Sequence, residues 1–246
     1  MKLKILGSSS TGNCYLFQTI DNKTLIVECG VDIKEIKKAL NFDLTDVIGC
    51  LITHEHGDHS KNIQKVLDAG IDCYMSEGTR KALNIEHHRL HVLPKLERTR
   101  IGSFTIMAFK TKHDCADPIG FLIYHLEMGL CLFATDTYYV EYTFENLNNI
   151  LIECNYAKDI LNKNVSDGII NKMLRDRTLK SHFELENVKG FMKANNLSGV
   201  RNILLLHLSD RNSGAGRFKK EIEDLTGIKT TIADKGVEID LSLYPF

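Results

Sequence analysis

The sequence has few or none of several features that would place a chain in a special class. It contains no Trp and only three Pro in 246 residues, and no Pro-rich or Ser-rich stretch divides it. No run of about 18 apolar residues could cross a membrane, and the start MKLKILGSSS is too poor in apolar residues for a secretory signal. We therefore expect one domain over residues 1–246, with no membrane partner.

The chain also lacks an excess of charge and a paired cysteine motif. Lys and Arg number 31 against 32 Asp and Glu, so no global field attracts a polyanion, and affinity for nucleic acid must come from local patches. The seven cysteines occur singly, mostly inside apolar runs such as LIVECG and GLCLFAT. This pattern predicts reduced, buried thiols in a cytoplasmic protein.

Apolar runs and turn signals alternate along the chain. LKILG, CYLFQTI and KTLIVECG read as three strands, followed by a helix DIKEIKKAL capped by Asp32. DVIGCLI and IDCYM read as strands on either side of a helix over residues 59–70, which Gly70 closes. The second half repeats strands followed by helices. This order predicts a four-layer α/β (α+β) sandwich of two mixed sheets with helices on both outer sides.

The densest chemical signal is THEHGDHS, residues 53–60, directly after the apolar run VIGCLI. His54 and His56 are one residue apart, so at a strand end both imidazoles can reach one ion. Asp58 and His59 begin the next helix and can reach a second ion a few Å away. Imidazole and carboxylate donors suit Zn²⁺, Mn²⁺ or Fe²⁺. A polar turn that is His-rich by chance is the weaker interpretation, because the chain has only ten histidines.

Three later ligand-type residues each follow a mostly apolar run. His113 ends FTIMAFKTKH, Asp136 ends GLCLFATD and His207 ends NILLLH. A strand delivers such a residue to the edge of a sheet. Alone, each is more typical of a buried structural His or a helix-capping Asp. Beside THEHGDHS, they predict the remainder of a metal site.

These motifs resemble the metallo-β-lactamase superfamily, whose signature is HxHxDH followed by His, Asp and His at later strand ends. The segments GSSSTGNCYLF, SEGTRKAL, HDCADPIGF, ATDT, ECN and HLS are similar to its YycJ/WalJ-like branch, which is related to ribonuclease Z and regarded as nuclease-like. The resemblance implies the αββα sandwich of the superfamily and two divalent ions, Zn or Mn, with Fe as a further option. It assigns His54, His56 and His113 to one ion, Asp58, His59 and His207 to the other, and Asp136 to both.

The function implied is phosphodiester hydrolysis on DNA or RNA, exonucleolytic cleavage included, by attack of a metal-bridged hydroxide. Asp58 is then a proton acceptor as well as a ligand. His182 in SHFELEN matches the histidine that such phosphodiesterases use beside the metals, and Glu153 in IECN matches the carboxylate that orients it. The alternative for His182 is that it and Ser181 only cap the helix that begins FELENVKGFM.

Several segments are candidates for contact with phosphate. Ser209, Arg211 and Asn212 directly follow His207, and the turn SSSTGN offers backbone N–H groups. Residues 80–100 hold six Lys or Arg against two Glu, and residues 171–180 hold four basic residues against one Asp. These stretches are either local polyanion contacts or solvated surface.

The chain departs from the family pattern at two positions. Glu28 stands where relatives carry an Asp that braces the metal-binding loop by a hydrogen bond, so we expect metal binding with a shifted loop. Tyr156 stands where the branch commonly has His, which puts the transfer of substrate preference in doubt. Only 45 residues separate Asp136 from His182, too few for a β-CASP insertion.

Two other functions stay open at this point. The same chemistry could hydrolyse a small ester, thioester, lactone or cyclic phosphodiester, which a narrow apolar pocket would favour. The chain could also be a non-catalytic metal-binding regulatory protein.

Overall fold

The computed structural model describes residues 1–244. Its strands are β1 Lys2–Gly7, β2 Cys14–Gln18, β3 Thr24–Val27, β4 Val47–Leu51, β5 Cys73–Met75, β6 Leu90–Val92, β7 Arg98–Ile101, β8 Phe104–Lys110, β9 Ile119–His125, β10 Gly129–Ala134, β11 Leu147–Glu153, β12 Asn202–Leu206, β13 Thr230–Ile232 and β14 Glu238–Asp240. Its helices are α1 Ile33–Ala39, α2 Gly57–Ser60, α3 Ile63–Asp68, α4 Glu77–Leu83, α5 Lys158–Ser166, α6 Lys172–Ser181, α7 Leu185–Ala194 and α8 Ala215–Thr226.

The strands form two mixed sheets of seven strands each. The first has the order β14-β1-β2-β3-β4-β5-β6 and the second the order β13-β12-β11-β10-β9-β8-β7. In the first sheet β14, β1, β2 and β3 pair antiparallel, and β3 to β6 pair parallel. In the second, β7 to β10 pair antiparallel and β10 to β13 parallel. Parallel neighbours end at the same edge of a sheet, which brings the loops that follow them together.

Three apolar layers hold the sheets and helices together. Between the sheets, Phe17 of β2 and Phe133 of β10 belong to one buried cluster. Ile36 of α1 joins the cluster on the outer face of the first sheet, and Phe191 of α7 and Phe218 of α8 join the cluster on the outer face of the second. The layers therefore run helix, sheet, sheet, helix, and the four-layer sandwich expected from the sequence is confirmed.

The helix expected over residues 59–70 is wrong as a single element. The chain forms α2 and α3, with a break at Lys61 and Asn62. The helix is interrupted at Asn62 because this residue bonds to another segment. Its backbone N–H donates to Cys29 O at 3.3 Å, and its side chain donates to Val31 O at 2.6 Å. Contacts with the segment after β3 therefore replace helical hydrogen bonds, although Gly70 does follow α3 with a φ of +85°.

The capping interpretation of Ser181 and His182 is also wrong. Helix α7 begins after Glu184, whose carboxylate accepts from Glu186 N at 2.9 Å and Asn187 N at 3.3 Å. His182 instead follows α6 and donates its backbone N–H to Thr178 O. Its side chain is therefore not used as a helix cap. None of the helices in residues 1–244 has the length and hydropathy needed to span a bilayer.

Candidate metal centre

The ligand-type residues of the sequence analysis meet at one edge of the sandwich. His54 and His56 lie in the loop after β4, and Asp58 and His59 lie in α2. The remaining three come from loops that follow strands of the second sheet: His113 after β8, Asp136 after β10 and His207 after β12. The site is therefore built from both sheets, at the point where their strands deliver side chains to a common edge.

Helix α2 rests directly on backbone from the first sheet. Asn13 N donates to Asp58 O and Cys29 N donates to His59 O, both at 2.8 Å. A Cβ atom at Gly30 would lie 1.6 Å from Asp58 O, so only glycine allows this approach. These contacts fix the backbone of Asp58 and His59 and aim their side chains at the edge.

Three site residues adopt the left-handed backbone conformation that favours glycine. The φ angles are 67° at Glu28, 45° at Asp136 and 52° at His207. Such a conformation costs a non-glycine residue roughly 1–2 kcal/mol. Strained residues of this kind concentrate at functional sites, where the surrounding structure holds them.

A first donor group consists of His54, His56, His113 and Asp136, whose ligand atoms all lie within 4.8 Å of one another. His56 Nδ1 is 3.1 Å from His113 Nε2. Asp136 Oδ2 is 3.5 Å from His113 Nε2 and 3.8 Å from His54 Nε2. Three imidazoles and one carboxylate oxygen therefore converge on a space of the size of one ion.

A second donor group consists of Asp58, His59, His207 and the same Asp136. His59 Nε2 is 3.4 Å from Asp58 Oδ2 and also 3.4 Å from Asp136 Oδ2. His207 Nε2 is 3.3 Å from Asp58 Oδ2, and its Nδ1 is 3.4 Å from Asp136 Oδ1. Asp136 thus joins the two groups.

The chemistry of these residues fits divalent metal ions. His54 Nε2 is buried without a hydrogen-bond partner among the described residues, and such a buried polar atom needs a partner. The opposite nitrogens of two rings are engaged, because Thr53 Oγ1 lies 2.9 Å from His54 Nδ1 and Ser181 O lies 2.7 Å from His113 Nδ1. Fixing one nitrogen of an imidazole in this way orients the other toward a metal.

Without metal, the charges of the two groups differ. Burial lowers the pKa of His54 and that of His113. Burial also disfavours a charged His207, but Asp136, Asp58 and Glu153 outweigh it and raise the pKa of His207 to about 10. Burial opposes ionisation of Asp136, yet the charges of His207 and His59 hold its pKa well below the usual range. The carboxylates and imidazoles of the second donor group therefore favour each other's charged forms.

Glu28 contacts segments that carry two of the candidate ligands. Its carboxylate is fully buried and accepts from Thr53 N at 3.3 Å. The same oxygen, Oε1, is 3.6 Å from His59 Nδ1. Glu28 thus contacts both the loop that carries His54 and the ring of His59, despite its extra methylene.

Glu153 and His182 form a pair beside both donor groups. Glu153 is fully buried and accepts from Thr137 N at 2.9 Å, Phe183 N at 3.1 Å and His182 Nδ1 at 2.6 Å. The His182 ring lies 5.4 Å from that of His113 and 5.5 Å from that of His207, measured between centroids. Burial lowers the pKa of His182, but the effect of the Glu153 carboxylate is larger and in the opposite direction. The pKa of His182 is therefore raised overall.

The candidate phosphate-binding residues after His207 are partly engaged in loop contacts. Asn212 is buried, its Oδ1 accepts from Asn164 Nδ2 at 2.9 Å, and its backbone N–H donates to Ser209 Oγ at 3.2 Å. Arg211 is exposed. Tyr156 is buried in an apolar cluster with Leu161 and Ile170. The residue that replaces His at this position therefore packs in the core.

Three further residues, which the sequence motifs alone do not single out, touch the centre. Asn13 Nδ2 is 3.1 Å from His59 Nε2, Asn155 Nδ2 donates to His207 O at 2.7 Å, and Asp114 Oδ1 is 3.3 Å from His113 Nε2. All three stand in segments that carry the family resemblance, namely SSSTGN, ECN and HDCADPIGF. Their place in those motifs was the available signal.

Both basic stretches contain ion-paired residues, and the second borders the centre. In residues 80–100, Arg80 pairs with Glu77, and Lys95 pairs with Asp117. Residues 171–180 belong to α6, whose last residue, Ser181, contacts His113.

The chain is similar to several known proteins. Over 261 aligned residues, 99% of this chain and 93% of the relative, the chain is 29% identical to exodeoxyribonuclease WalJ of Streptococcus pneumoniae. It is also 29% identical to exodeoxyribonuclease YycJ of Bacillus anthracis over 65% of each chain. Among solved structures, it is similar to the metallo-beta-lactamase fold protein YhfI from Bacillus subtilis, with a TM-score of 0.76, 17% identity and coverage of 97% and 98%. The short form of human tRNase Z aligns with a TM-score of 0.68 and 14% identity over 99% of this chain and 100% of that chain.

The two solved structures support the fold, and the two curated relatives agree with the branch that the sequence motifs predict. The sequence model of the Metallo-beta-lactamase superfamily matches residues 9–144, which include His54, His56, Asp58, His59, His113 and Asp136. The chain therefore belongs to the metallo-beta-lactamase superfamily.

Proposed function

We propose that the chain is a metal-dependent nuclease that hydrolyses phosphodiester bonds of DNA or RNA, with exonucleolytic cleavage of DNA as the first activity to assay. The two curated relatives are exodeoxyribonucleases by name. We further propose two divalent ions, Zn²⁺ or Mn²⁺, one in each donor group. When bound, such ions polarise a phosphoryl oxygen and activate a water molecule as the nucleophile.

The observation that carries this proposal is the His182–Glu153 pair beside both donor groups. The 2.6 Å bond to Glu153 engages Nδ1 of His182 and leaves Nε2 as the ring nitrogen available to a substrate. Because Glu153 favours the charged ring, His182 can hold a proton at Nε2 and donate it to the departing sugar oxygen. A poor leaving group such as a sugar alkoxide needs this proton.

The roles of the other residues follow from their positions. Asp136 joins the donor groups, and Asp58 would help hold the ion of the second group, with its carboxylate placed to take a proton from the attacking water. Glu28 holds His59 and the His54 loop in place. The flank formed by α6 presents Lys172, Arg177 and Lys180 to solvent, which suits a polyanion better than a small neutral ester.

The test uses protein stripped with a chelator and reloaded with Mn²⁺ or Zn²⁺. Labelled single-stranded and double-stranded DNA and RNA are assayed beside bis-p-nitrophenyl phosphate and a panel of esters, thioesters and lactones. We expect metal-dependent cleavage of a nucleic acid. We also expect His56→Ala to lose metal and activity, and His182→Ala to keep metal and lose activity.

Other results would overturn the proposal. Loaded protein that hydrolyses only small esters would be an esterase-type enzyme. Loaded protein that hydrolyses nothing would be a metal-binding regulatory protein.

A further inference from the structure

An ion pair stands at the rim of the first donor group. Asp114 directly follows His113 and places Oδ1 3.3 Å from His113 Nε2. Its other oxygen, Oδ2, accepts from Arg177 Nε at 2.8 Å. One carboxylate therefore separates the His113 imidazole from the Arg177 guanidinium.

A second connection joins α6 to the same His113 ring. Ser181, one turn later in α6, donates its hydroxyl to Arg177 O at 2.9 Å, and its own carbonyl is 2.7 Å from His113 Nδ1. One nitrogen of the His113 ring, Nδ1, thus contacts α6 directly, and the other, Nε2, lies beside the carboxylate that pairs with Arg177. Helix α6 is anchored beside His113 through Ser181, and the bond to Asp114 positions the Arg177 guanidinium at the rim of the centre.

Arg177 keeps donors available for a ligand. Its side chain is 61% exposed, and among the described residues its only side-chain hydrogen bond is from Nε to Asp114, so the terminal nitrogens keep their N–H groups for a ligand. A planar guanidinium with free N–H groups matches a phosphate in geometry and charge. An exposed ion pair contributes only about 0–1 kcal/mol to stability, so folding alone gives little reason for this arrangement.

Asp114 itself lies outside the metal-binding groups. It is absent from the sets of mutually close ligand atoms found in the described residues, whereas its neighbour His113 belongs to the first. Its carboxylate is therefore placed to hold Arg177 at the rim of the centre.

We propose that Arg177, positioned by Asp114, binds the phosphate that flanks the scissile bond of the nucleic acid. The proposal rests on the nuclease function and adds a substrate contact to it. It assigns to one residue of the basic stretch 171–180 a role that its neighbours do not share. Arg175, two residues earlier on α6, is engaged elsewhere, with Asn162 Oδ1 at 3.0 Å and Asp176 Oδ1 at 2.8 Å.

The test compares two substrates and a matched control. Arg177→Ala, Arg177→Lys, Asp114→Asn and Arg175→Ala are assayed on a single-stranded DNA oligonucleotide and on bis-p-nitrophenyl phosphate, which has no flanking phosphate. We expect Arg177→Ala to lower kcat/KM on the oligonucleotide about tenfold to a hundredfold, mainly through KM, because a charge-assisted hydrogen bond is lost. We expect Arg177→Lys to recover part of this loss and Asp114→Asn to lose less than Arg177→Ala.

The control readouts are equally definite. Activity on bis-p-nitrophenyl phosphate should stay within about threefold in the Arg177 variants, and Arg175→Ala should leave both substrates unchanged. The plot of log(kcat/KM) against log salt concentration has a negative slope, and in Arg177→Ala this slope should become shallower by about 0.7. That is the contribution of one phosphate contact on a single strand.

Two results would overturn this inference alone while wild type still cleaves DNA. One is an equal loss on both substrates, which would mean that Arg177 supports the metal centre itself. The other is an equal loss in Arg175→Ala and Arg177→Ala. Wild-type protein that cleaves no nucleic acid would overturn the proposed function, and this inference with it.

Discussion

Replacement of His182 by Ala tests proton donation separately from metal binding. The ring is 20% exposed at the end of α6, so its removal leaves no deep cavity. Glu153 keeps two backbone donors, Thr137 N and Phe183 N, at Oε2. The lost bond to Oε1 is charge-assisted and contributes about 1.5–3 kcal/mol to stability. We therefore expect a folded variant that retains its metal.

The size of the effect on activity depends on the leaving group. General acid catalysis contributes about 10²–10⁴-fold, and it matters when the leaving group is a sugar alkoxide. We expect kcat of His182→Ala to fall by that factor on a DNA oligonucleotide. On bis-p-nitrophenyl phosphate the loss should be less than about tenfold, because p-nitrophenolate departs near neutral pH without a proton.

The assay measures kcat on both substrates together with metal per chain. Glu153→Gln serves as the matched variant, since it keeps the His182 ring and removes the charge that holds its proton. Its kcat should also fall more on the DNA oligonucleotide than on bis-p-nitrophenyl phosphate. An equal loss on both substrates with full metal content would refute proton donation by His182.

Three further predictions concern the support of the centre. Gly30→Ala should displace Asp58, because the added Cβ would meet Asp58 O at 1.6 Å. Differential scanning calorimetry should show a loss of stability of several kcal/mol. The control Gly216→Ala, at an open helical position, should leave stability nearly unchanged. Glu28→Gln keeps the size of the side chain but removes the charge that faces His59. Competition with a chelator should then show that metal affinity falls about 10–100-fold. Unchanged affinity would contradict a bracing role for Glu28. In the folded chain the pKa of His207 is raised to about 10, from about 6.5 when unfolded. Protonation of His207 therefore stabilises the metal-free fold in full below about pH 6.5, and this contribution is lost as the pH rises toward 10. The thermal midpoint of chelated protein should therefore fall over that range more than that of metal-loaded protein, in which metal replaces the proton, and parallel curves would argue against protonated His207.

The placement of the ligand-type residues could be predicted because the signal is local. His113, Asp136 and His207 each follow an apolar run, and a strand that ends at a sheet edge delivers the next polar side chain there. THEHGDHS combines two such signals, the end of β4 and the start of α2. The edge where the two sheets meet then brings these segments together.

Other features depend on contacts between distant segments and leave no local pattern. The break between α2 and α3 arises from hydrogen bonds of Asn62 to residues about 30 positions earlier. The start of α7 depends on Glu184, which competes with the equally plausible caps Ser181 and His182. The pairing of Asp114 with Arg177 joins residues 63 positions apart, so neither sequence position alone predicts it.

The central claim is that two metal ions lie in two donor groups joined by Asp136. A crystal structure of Mn²⁺-loaded protein, with anomalous differences measured for manganese, tests it most directly. We predict two anomalous peaks on either side of the Asp136 carboxylate, one among His54, His56 and His113 and the other among Asp58, His59 and His207. A single peak, or peaks that do not contact Asp136, would contradict this account.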